Sequence, residues 1–137
     1  MRILRLLTCI WQISAENGEK DPESAKRIFE LAVERKIQLI SPTLLKAEVA
    51  NVLLKKKKLD PEDVKIVFSI IAKTGLVYTG LSDKLILEAI TVADKYDLSV
   101  YDGIYLACAK FSGTTLISAD EKGHGKIEGV ILLKDFK

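Results

Sequence analysis

The chain has 137 residues, of which 48% are hydrophobic, and 21 basic residues nearly balance 19 acidic ones to leave a net charge of +2. This length is enough for one domain with a buried core, so we expect a single domain over residues 1–137. The net charge is too small to indicate a nucleic-acid partner by itself, and no window reaches the ~20 apolar residues of a membrane span. The composition therefore predicts a folded domain without a membrane segment.

The cysteines and the histidine narrow the possible chemistry. Cys9 and Cys108 lie among apolar neighbours and form no C-x-x-C pair, so we expect core residues in a reducing cytoplasm rather than a disulfide or zinc ligands. His124 is the only histidine, which argues against a Ser-His-Asp triad or a zinc site of the usual kind. Any catalysis must then depend on carboxylates.

Hydrophobic periodicity and turn residues predict the element order β-α-β-α-α-β-α-α-β-(α)-β. The predicted strands cover Met1–Ile10, Ile37–Ile40, Leu76–Thr79, Thr114–Ile117 and Gly129–Leu133. The predicted helices begin near Asp21, Ser41, Asp60, Ser82 and Ser99, and Gly113 ends the last of these. The first strand is apolar on both faces, which is typical of a central strand in a parallel sheet. The pattern predicts an α/β sandwich with a mostly parallel sheet and helices on both faces.

Glu48 occupies an unusual place on the predicted helix of residues 43–56. It lies four residues after Leu44 and four before Val52, on the apolar side of the helix. A carboxylate there is costly unless it is paired, hydrogen-bonded or bound to a cation. An alternative is that Glu48 lies at the edge of this apolar side of the helix and forms an ion pair with a lysine.

Asp102 and Asp120 are acids near the starts of predicted helical elements. Ser99 is a candidate N-cap for the helix that contains Asp102 in its first turn, three residues later. Ser118 likewise precedes Glu121 by three residues and is a candidate N-cap for the next element. Asp120 also follows a buried strand directly, where open α/β sheets place their sites. Each acid alone is explained equally well by helix capping and the helix dipole.

The three acids Glu48, Asp102 and Asp120 together suggest a cation site. Converging carboxylates repel one another unless a hard cation neutralises them, and oxygen ligands suit Mg²⁺ or Mn²⁺. Phosphodiester hydrolysis is the chemistry that matches such a site, since the metal activates a water and stabilises the leaving oxygen.

Three segments of the chain contain these acids: Glu48–Leu53, Leu98–Ala107 and Leu116–Asp120. They resemble the three downstream acidic motifs of the PIN domain, and the resemblance is strongest to prokaryotic VapC-type ribonuclease toxins. The resemblance extends over nearly the whole chain, including the Asp-Pro-Glu-Ser-Ala helix start and the Ser-Pro strand exit. Each motif is weak alone, but three in order at the expected separations are fairly specific.

This resemblance implies a three-layer α/β/α sandwich with a five-stranded parallel sheet and Mg²⁺- or Mn²⁺-dependent RNA cleavage. It also implies a homodimer in many members, inhibited by a cognate antitoxin. Carried over by position, Glu48, Asp102 and Asp120 would be the metal ligands, and Ser118 would support the site by hydrogen bonding. Asn51 would line the same pocket, although a polar surface residue explains it equally well.

One departure from the family pattern stands out. PIN domains normally have an aspartate at the end of the first strand, whereas residues 1–15 contain no acid. Leu7 or Arg5 takes that place, depending on the alignment, and Glu16 is a distant substitute. Losing this ligand weakens metal binding. The explanations left open are a catalytically impaired module that binds RNA or protein, and an altered N-terminal sequence.

Two further interpretations concern other features of the chain. Lysines 55 to 58 form a run that favours a helix C-terminus and solubility, but with Lys46 they could also contact phosphates. The residues of this group are Lys46, Lys55, Lys56, Lys57 and Lys58. A phospho-acceptor receiver domain shares the α/β class, but it requires acids at the end of the first strand.

Overall fold

The computed structural model describes residues 2–6, 22–73, 75–118, 127, 129–132 and 135. The strands are β1 (Arg2–Leu6), β2 (Ile37–Pro42), β3 (Val77–Thr79), β4 (Thr115–Ser118) and β5 (Val130–Leu132). The helices are α1 (Pro22–Val33), α2 (Leu44–Asn51), α3 (Pro61–Ala72), α4 (Asp83–Tyr96) and α5 (Val100–Phe111), and a π-helical turn (Val52–Lys56) continues α2. The predicted α/β class is confirmed.

The strands pair in the order β3-β2-β1-β4-β5, and every neighbouring pair is parallel. β1 is therefore central, as its apolar sequence predicted. Its Arg5 lies in register with Ile40 of β2 and with Leu116 of β4. Because the chain first builds β2 and β3 on one side of β1 and then β4 and β5 on the other, the strand order reverses between β1 and β4. The carboxyl ends of these two strands flank the crevice where such sheets bind ligands.

Local capping explains where the helices begin and end. The Ser82 side chain accepts a hydrogen bond from the Leu85 N–H at 3.2 Å, and Ser99 accepts one from the Asp102 N–H at 3.1 Å. At the end of α5, Gly113 adopts a left-handed φ of 58° that costs little without a Cβ. These caps confirm the helix starts predicted at Ser82 and Ser99 and the stop at Gly113.

Neighbouring residues of β4 show that helices pack on both faces of the sheet. Ile117 belongs to an aliphatic cluster drawn from α1, β2 and α2, whereas Leu116 packs with Tyr105 and Ala109 of α5. Successive strand residues point to opposite faces, so α1 and α5 lie on opposite sides of the sheet. We name the first group the aliphatic cluster, consisting of Ile28, Ile37, Leu39, Leu45, Val49, Leu76 and Ile117.

Helices α4 and α5 contact each other through small residues. A Cβ added at Gly103 of α5 would lie 2.4 Å from the backbone oxygen of Ala89 and 3.3 Å from the Cβ of Ala93. The buried cluster around this approach consists of Leu85, Ala89, Ile104, Ala107 and Cys108, and together with Gly103 and Ala93 we name it the small-residue contact. Cys108 is buried, as expected of a core residue.

The structure departs from the predicted helix of residues 43–56 in its last turn. Regular α-helix ends at Asn51, and the Lys57 N–H then reaches the Val52 carbonyl, five residues back, at 3.0 Å. Several predictions lie outside the described residues: strand residues 7–10, Cys9, Glu16, the helix start at Asp21, the element at 119–121 with Asp120, and His124. Among the helices that the structure describes, none is long and apolar enough to cross a membrane.

Candidate functional site

Helix α2 begins directly after β2 and contacts both faces of the sheet. Leu45 belongs to the aliphatic cluster, whereas Leu44 packs against the small-residue contact and against the cluster around Tyr105. Glu48 lies one helical turn after Leu44, so both side chains project from the same stripe. The helix thereby carries the half-buried Glu48 toward α5.

The carboxylate of Glu48 accepts a hydrogen bond from the hydroxyl of Tyr105, which belongs to α5. The Tyr105 side chain is only 1% exposed and packs with Ala109 and Leu116. Glu48 therefore has one of the partners that a carboxylate on an apolar stripe requires. This contact joins two helices whose residues lie 57 positions apart in the chain.

Asp102 lies in the first turn of α5, three residues before Tyr105. Residues three apart on a helix are neighbours on its surface, with Cβ atoms about 5–6 Å apart. The helix face that carries the partner of Glu48 therefore also carries Asp102. The Ser99 cap is present as well, and its hydroxyl accepts a hydrogen bond from the Asp102 N–H, so Asp102 belongs to the capped first turn of α5.

Ser118 is the last residue of β4 and is fully buried. In register it pairs with Leu132 of β5, and it shares its strand face with Leu116, which packs against α5. Asp120 follows two residues later, outside the described residues. Within the part of the chain that the structure describes, no group of three acidic, histidine or cysteine side chains is placed to hold a metal.

The donor set nevertheless suits a hard divalent cation. Glu48 and Asp102 supply carboxylate oxygens, which Mg²⁺ and Mn²⁺ prefer over nitrogen or sulfur. Glu48 is half-buried, and a partly desolvated carboxylate gains more from a nearby cation than an exposed one does. Glu48 on α2 and Asp102 on α5 are the predicted ligands that the structure describes.

The other predicted residues that the structure describes lie on α2 or in and just after the π-helical turn. Asn51 is exposed at the end of α2, which fits either a pocket rim or an ordinary surface position. Lys46 is half-buried, and its ammonium lies over the ring of Tyr78, 4.4 Å from the centroid. Lys55, Lys56 and Lys58 are exposed and Lys57 is half-buried, in and just after the π-helical turn.

Tyr105 is the residue that the sequence interpretation missed. Its spacing placed it on the apolar face of α5, and its hydroxyl received no role. The sequence contains a signal for this contact. A buried tyrosine hydroxyl usually donates to a hydrogen-bond acceptor, and Glu48 is a carboxylate on an apolar helix face that requires a partner. The two residues belong to different motifs, so only the fold brings them together.

Comparisons with known proteins agree with this architecture. A family model described as the PIN domain matches residues 8–129. A search of curated protein sequences finds no significant match.

Several solved structures resemble the fold at low sequence identity. VapBC2 from Rickettsia felis, bound to a promoter DNA fragment, has a TM-score of 0.70 at 18% identity over 95% of this chain and 96% of that one. VapC20 of Mycobacterium tuberculosis, a toxin that cleaves the sarcin-ricin loop, gives 0.66 at 15% identity over 93% and 96%. A toxin-antitoxin complex from Klebsiella pneumoniae gives 0.63 at 20% identity over 97% and 98%. At these identities the similarity establishes the fold alone.

Proposed function

We propose, because the chain belongs to the PIN domain family, that this protein is a metal-dependent endoribonuclease of the VapC type that hydrolyses RNA phosphodiester bonds. One observation carries the proposal. Glu48 of α2 accepts a hydrogen bond from Tyr105 of α5, the helix that carries Asp102 one turn earlier.

The proposed site consists of Glu48, Asp102 and Asp120, with Mg²⁺ or Mn²⁺ as cofactor. Ser118 would support it from the end of β4, and Asn51 would line its rim. Such a cation, when bound, supplies electrostatic stabilisation to the phosphate and activates a water. The contribution of the chain is to hold carboxylates from separate elements in one place, so that their charge favours cation binding.

The proposal includes the architecture and assembly that the family resemblance implies. We place residues 1–137 in a single domain, a three-layer α/β/α sandwich around a five-stranded sheet. The toxin-antitoxin complexes among the structural neighbours support a cognate antitoxin as a protein partner. We also propose a cytoplasmic homodimer, which sedimentation of the purified protein tests directly.

The decisive experiment is RNA cleavage with Mg²⁺ or Mn²⁺ by the wild type, Glu48→Gln and Asp102→Asn. Losing several kcal/mol of charge stabilisation slows cleavage by at least about 100-fold. Matched controls are Glu23→Gln and Asp83→Asn, since both acids are exposed in the first turns of other helices. Controls that stay within about twofold of wild type support the site, and cleavage that survives both site substitutions overturns it.

The five lysines at positions 46 and 55–58 are proposed contacts for RNA phosphates. Replacing Lys55–Lys58 with glutamine should weaken RNA binding at low salt. Each lost single-strand contact reduces the slope of log K against log salt by about 0.7. A control with four exposed lysines replaced elsewhere keeps the net charge equal: Lys26, Lys36, Lys65 and Lys73. Equal affinity losses in both variants would contradict a local contact.

A second candidate function rests on the lack of any acid in residues 1–15. The protein would then be a catalytically impaired PIN-like module that binds RNA or a protein partner. Titration with Mn²⁺ separates the two functions. Tight binding by the wild type that is lost in Asp120→Asn favours the nuclease, whereas RNA binding without Mn²⁺ binding favours the impaired module.

A further inference from the structure

The contact between α2 and α5 suggests how the proposed site is held in shape. The hydroxyl of Tyr105 donates to Oε2 of Glu48, and the ring behind that hydroxyl is 1% exposed. A glutamate side chain has several rotatable bonds, and fixing its carboxylate in one position costs conformational entropy at each of them. A donor anchored in the core supplies part of that ordering before any ligand arrives.

The ring of Tyr105 is itself fixed by packing. It is enclosed with Ala109 and Leu116, and Leu44 of α2 packs against the same group. Leu44 lies one turn before Glu48, so the helix that supplies the carboxylate is seated on the residues that surround the tyrosine. The position of the hydroxyl relative to α2 is therefore set by the core.

The same helix holds Asp102 one turn before Tyr105. α5 thus carries one proposed ligand and also the group that orients the other ligand. A carboxylate offers about four lone-pair sites, so one tyrosine donor leaves acceptor capacity for a cation.

We infer that Tyr105 is a positioning residue, whose hydroxyl fixes the Glu48 carboxylate beside Asp102 for divalent-cation binding. This inference rests on the proposed nuclease site. The competing explanation is structural only: a buried tyrosine satisfies its hydroxyl with the nearest acceptor, and the site gains nothing.

Tyr105→Phe is the test variant, because it removes the hydroxyl and keeps the ring. Tyr101→Phe is the matched control on the same helix, where the side chain is 64% exposed. Mn²⁺ titration should show an affinity loss of about 10–100-fold for Tyr105→Phe, the range for residues that orient metal ligands. Tyr101→Phe should stay within about twofold. Equal affinities for Tyr105→Phe and wild type overturn the inference and leave the nuclease proposal standing.

A readout without metal separates the two proposals. Side-chain NMR couplings of Glu48 in the metal-free protein should report one rotamer in wild type and averaged rotamers in Tyr105→Phe. A single rotamer in both proteins overturns the inference. Averaged rotamers in Tyr105→Phe, combined with no Mn²⁺ binding by wild type, show that Tyr105 orders Glu48 but overturn its role in cation binding together with the metal site.

Two further measurements guard against a merely structural effect or an unfolded variant. In a Glu48→Asp background, Tyr105→Phe should no longer change Mn²⁺ affinity, whereas an effect on the fold would weaken binding in both backgrounds.

If Tyr105→Phe does not fold, the ¹³Cζ signal of Tyr105 is compared between wild type and Glu48→Gln, with Tyr101 as the internal reference. A shift confined to Tyr105 supports the contact, and no shift overturns it.

Discussion

The two faces of the sheet are built from different kinds of residues. The aliphatic cluster fills the space between α1, β2 and α2 with large side chains such as Ile28 and Leu45, both fully buried. On the other face, α4 and α5 approach closely because Gly103, Ala89 and Ala93 occupy the contact. The stability of the first face depends on large side chains that fill the space between its elements. The stability of the second depends on small residues that let the two helices approach closely.

Each face also contains a tyrosine, and the two tyrosine hydroxyl groups differ in their hydrogen bonding. Tyr105 donates to Glu48, whereas the buried hydroxyl of Tyr78 has no hydrogen-bond partner among the residues that the structure describes. Tyr78 packs against the aliphatic cluster. The Tyr105 hydroxyl is therefore paired beside the proposed site, whereas the Tyr78 hydroxyl carries the free-energy cost of burial without a partner in the described part of the chain.

Leu45→Ala should produce the largest loss of stability, because it empties part of the aliphatic cluster. The side chain is fully buried, and comparable truncations cost about 3 kcal/mol through lost transfer free energy and the remaining cavity. Urea denaturation measures the change. Leu87→Ala is the control, since Leu87 is 65% exposed on α4 and should change the free energy of unfolding by less than about 0.5 kcal/mol. Similar losses for both leucines would contradict a volume-dependent face.

Gly103→Ala tests the opposite face by adding one methyl group. The new Cβ would meet the Ala89 backbone oxygen at 2.4 Å, so the helices must separate. We expect overpacking to lower the free energy of unfolding by about 2 kcal/mol net. This net value includes the opposing helix propensity, since replacing glycine with alanine at an exposed helix position stabilises the helix by about 1 kcal/mol.

Gly80→Ala is the matched control for this substitution. A Cβ there meets nothing within 4 Å, and its φ does not lie in the left-handed region. Thermal unfolding should show no loss, or a small gain from the reduced freedom of the unfolded chain. If Gly103→Ala is as stable as Gly80→Ala, the close approach of α4 and α5 is unimportant for stability.

These contrasts mark the boundary of what the sequence predicts. Helix starts at Ser82 and Ser99 and the stop at Gly113 depend on neighbours within four residues, and a local pattern contains that information. The central place of β1 followed from apolar residues on both faces. The approximate side of Glu48 followed from its spacing to Leu44 on one helix.

Contacts between distant segments were not predictable in the same way. The pairing of Tyr105 with Glu48 requires the relative placement of α2 and α5, which periodicity does not encode. The contact of the Lys46 ammonium with the Tyr78 ring likewise joins residues of two separate elements, and the phosphate contact proposed for Lys46 stays a prediction. The π-helical turn also changes the hydrogen-bond spacing without a signal in the residue types.

Tyr78→Phe should be neutral or should stabilise the protein by up to about 1 kcal/mol at neutral pH. It removes a buried hydroxyl that lacks a hydrogen-bond partner within the described ranges, while keeping the ring under Lys46. Chemical denaturation at pH 7 measures the change. Tyr105→Phe provides the contrast, because it removes a paired hydroxyl and should cost about 1–2 kcal/mol. Equal costs would show that the two hydroxyl groups do not differ energetically.

The pH dependence sharpens this comparison. Burial raises the pKa of Tyr78 above its ordinary value of 10.0. The folded state therefore retains the proton more strongly than the unfolded state, and stability is kept below pH 10 and lost as the pH rises above it. Wild type should lose stability above pH 10 more steeply than Tyr78→Phe. Lysine deprotonation affects both proteins alike, so parallel curves would contradict an effect of Tyr78.

The smallest effect is expected for the ion pair that links α4 to α5. Lys110 donates to Glu88 at 2.5 Å, and the lysine side chain is 65% exposed while that of the glutamate is 21% exposed. A double-mutant cycle with Lys110→Met and Glu88→Gln should give a coupling of about 0.5 kcal/mol that declines with added salt. A coupling larger than the cost of Gly103→Ala would mean that charge, rather than the absence of side-chain volume, holds these helices together.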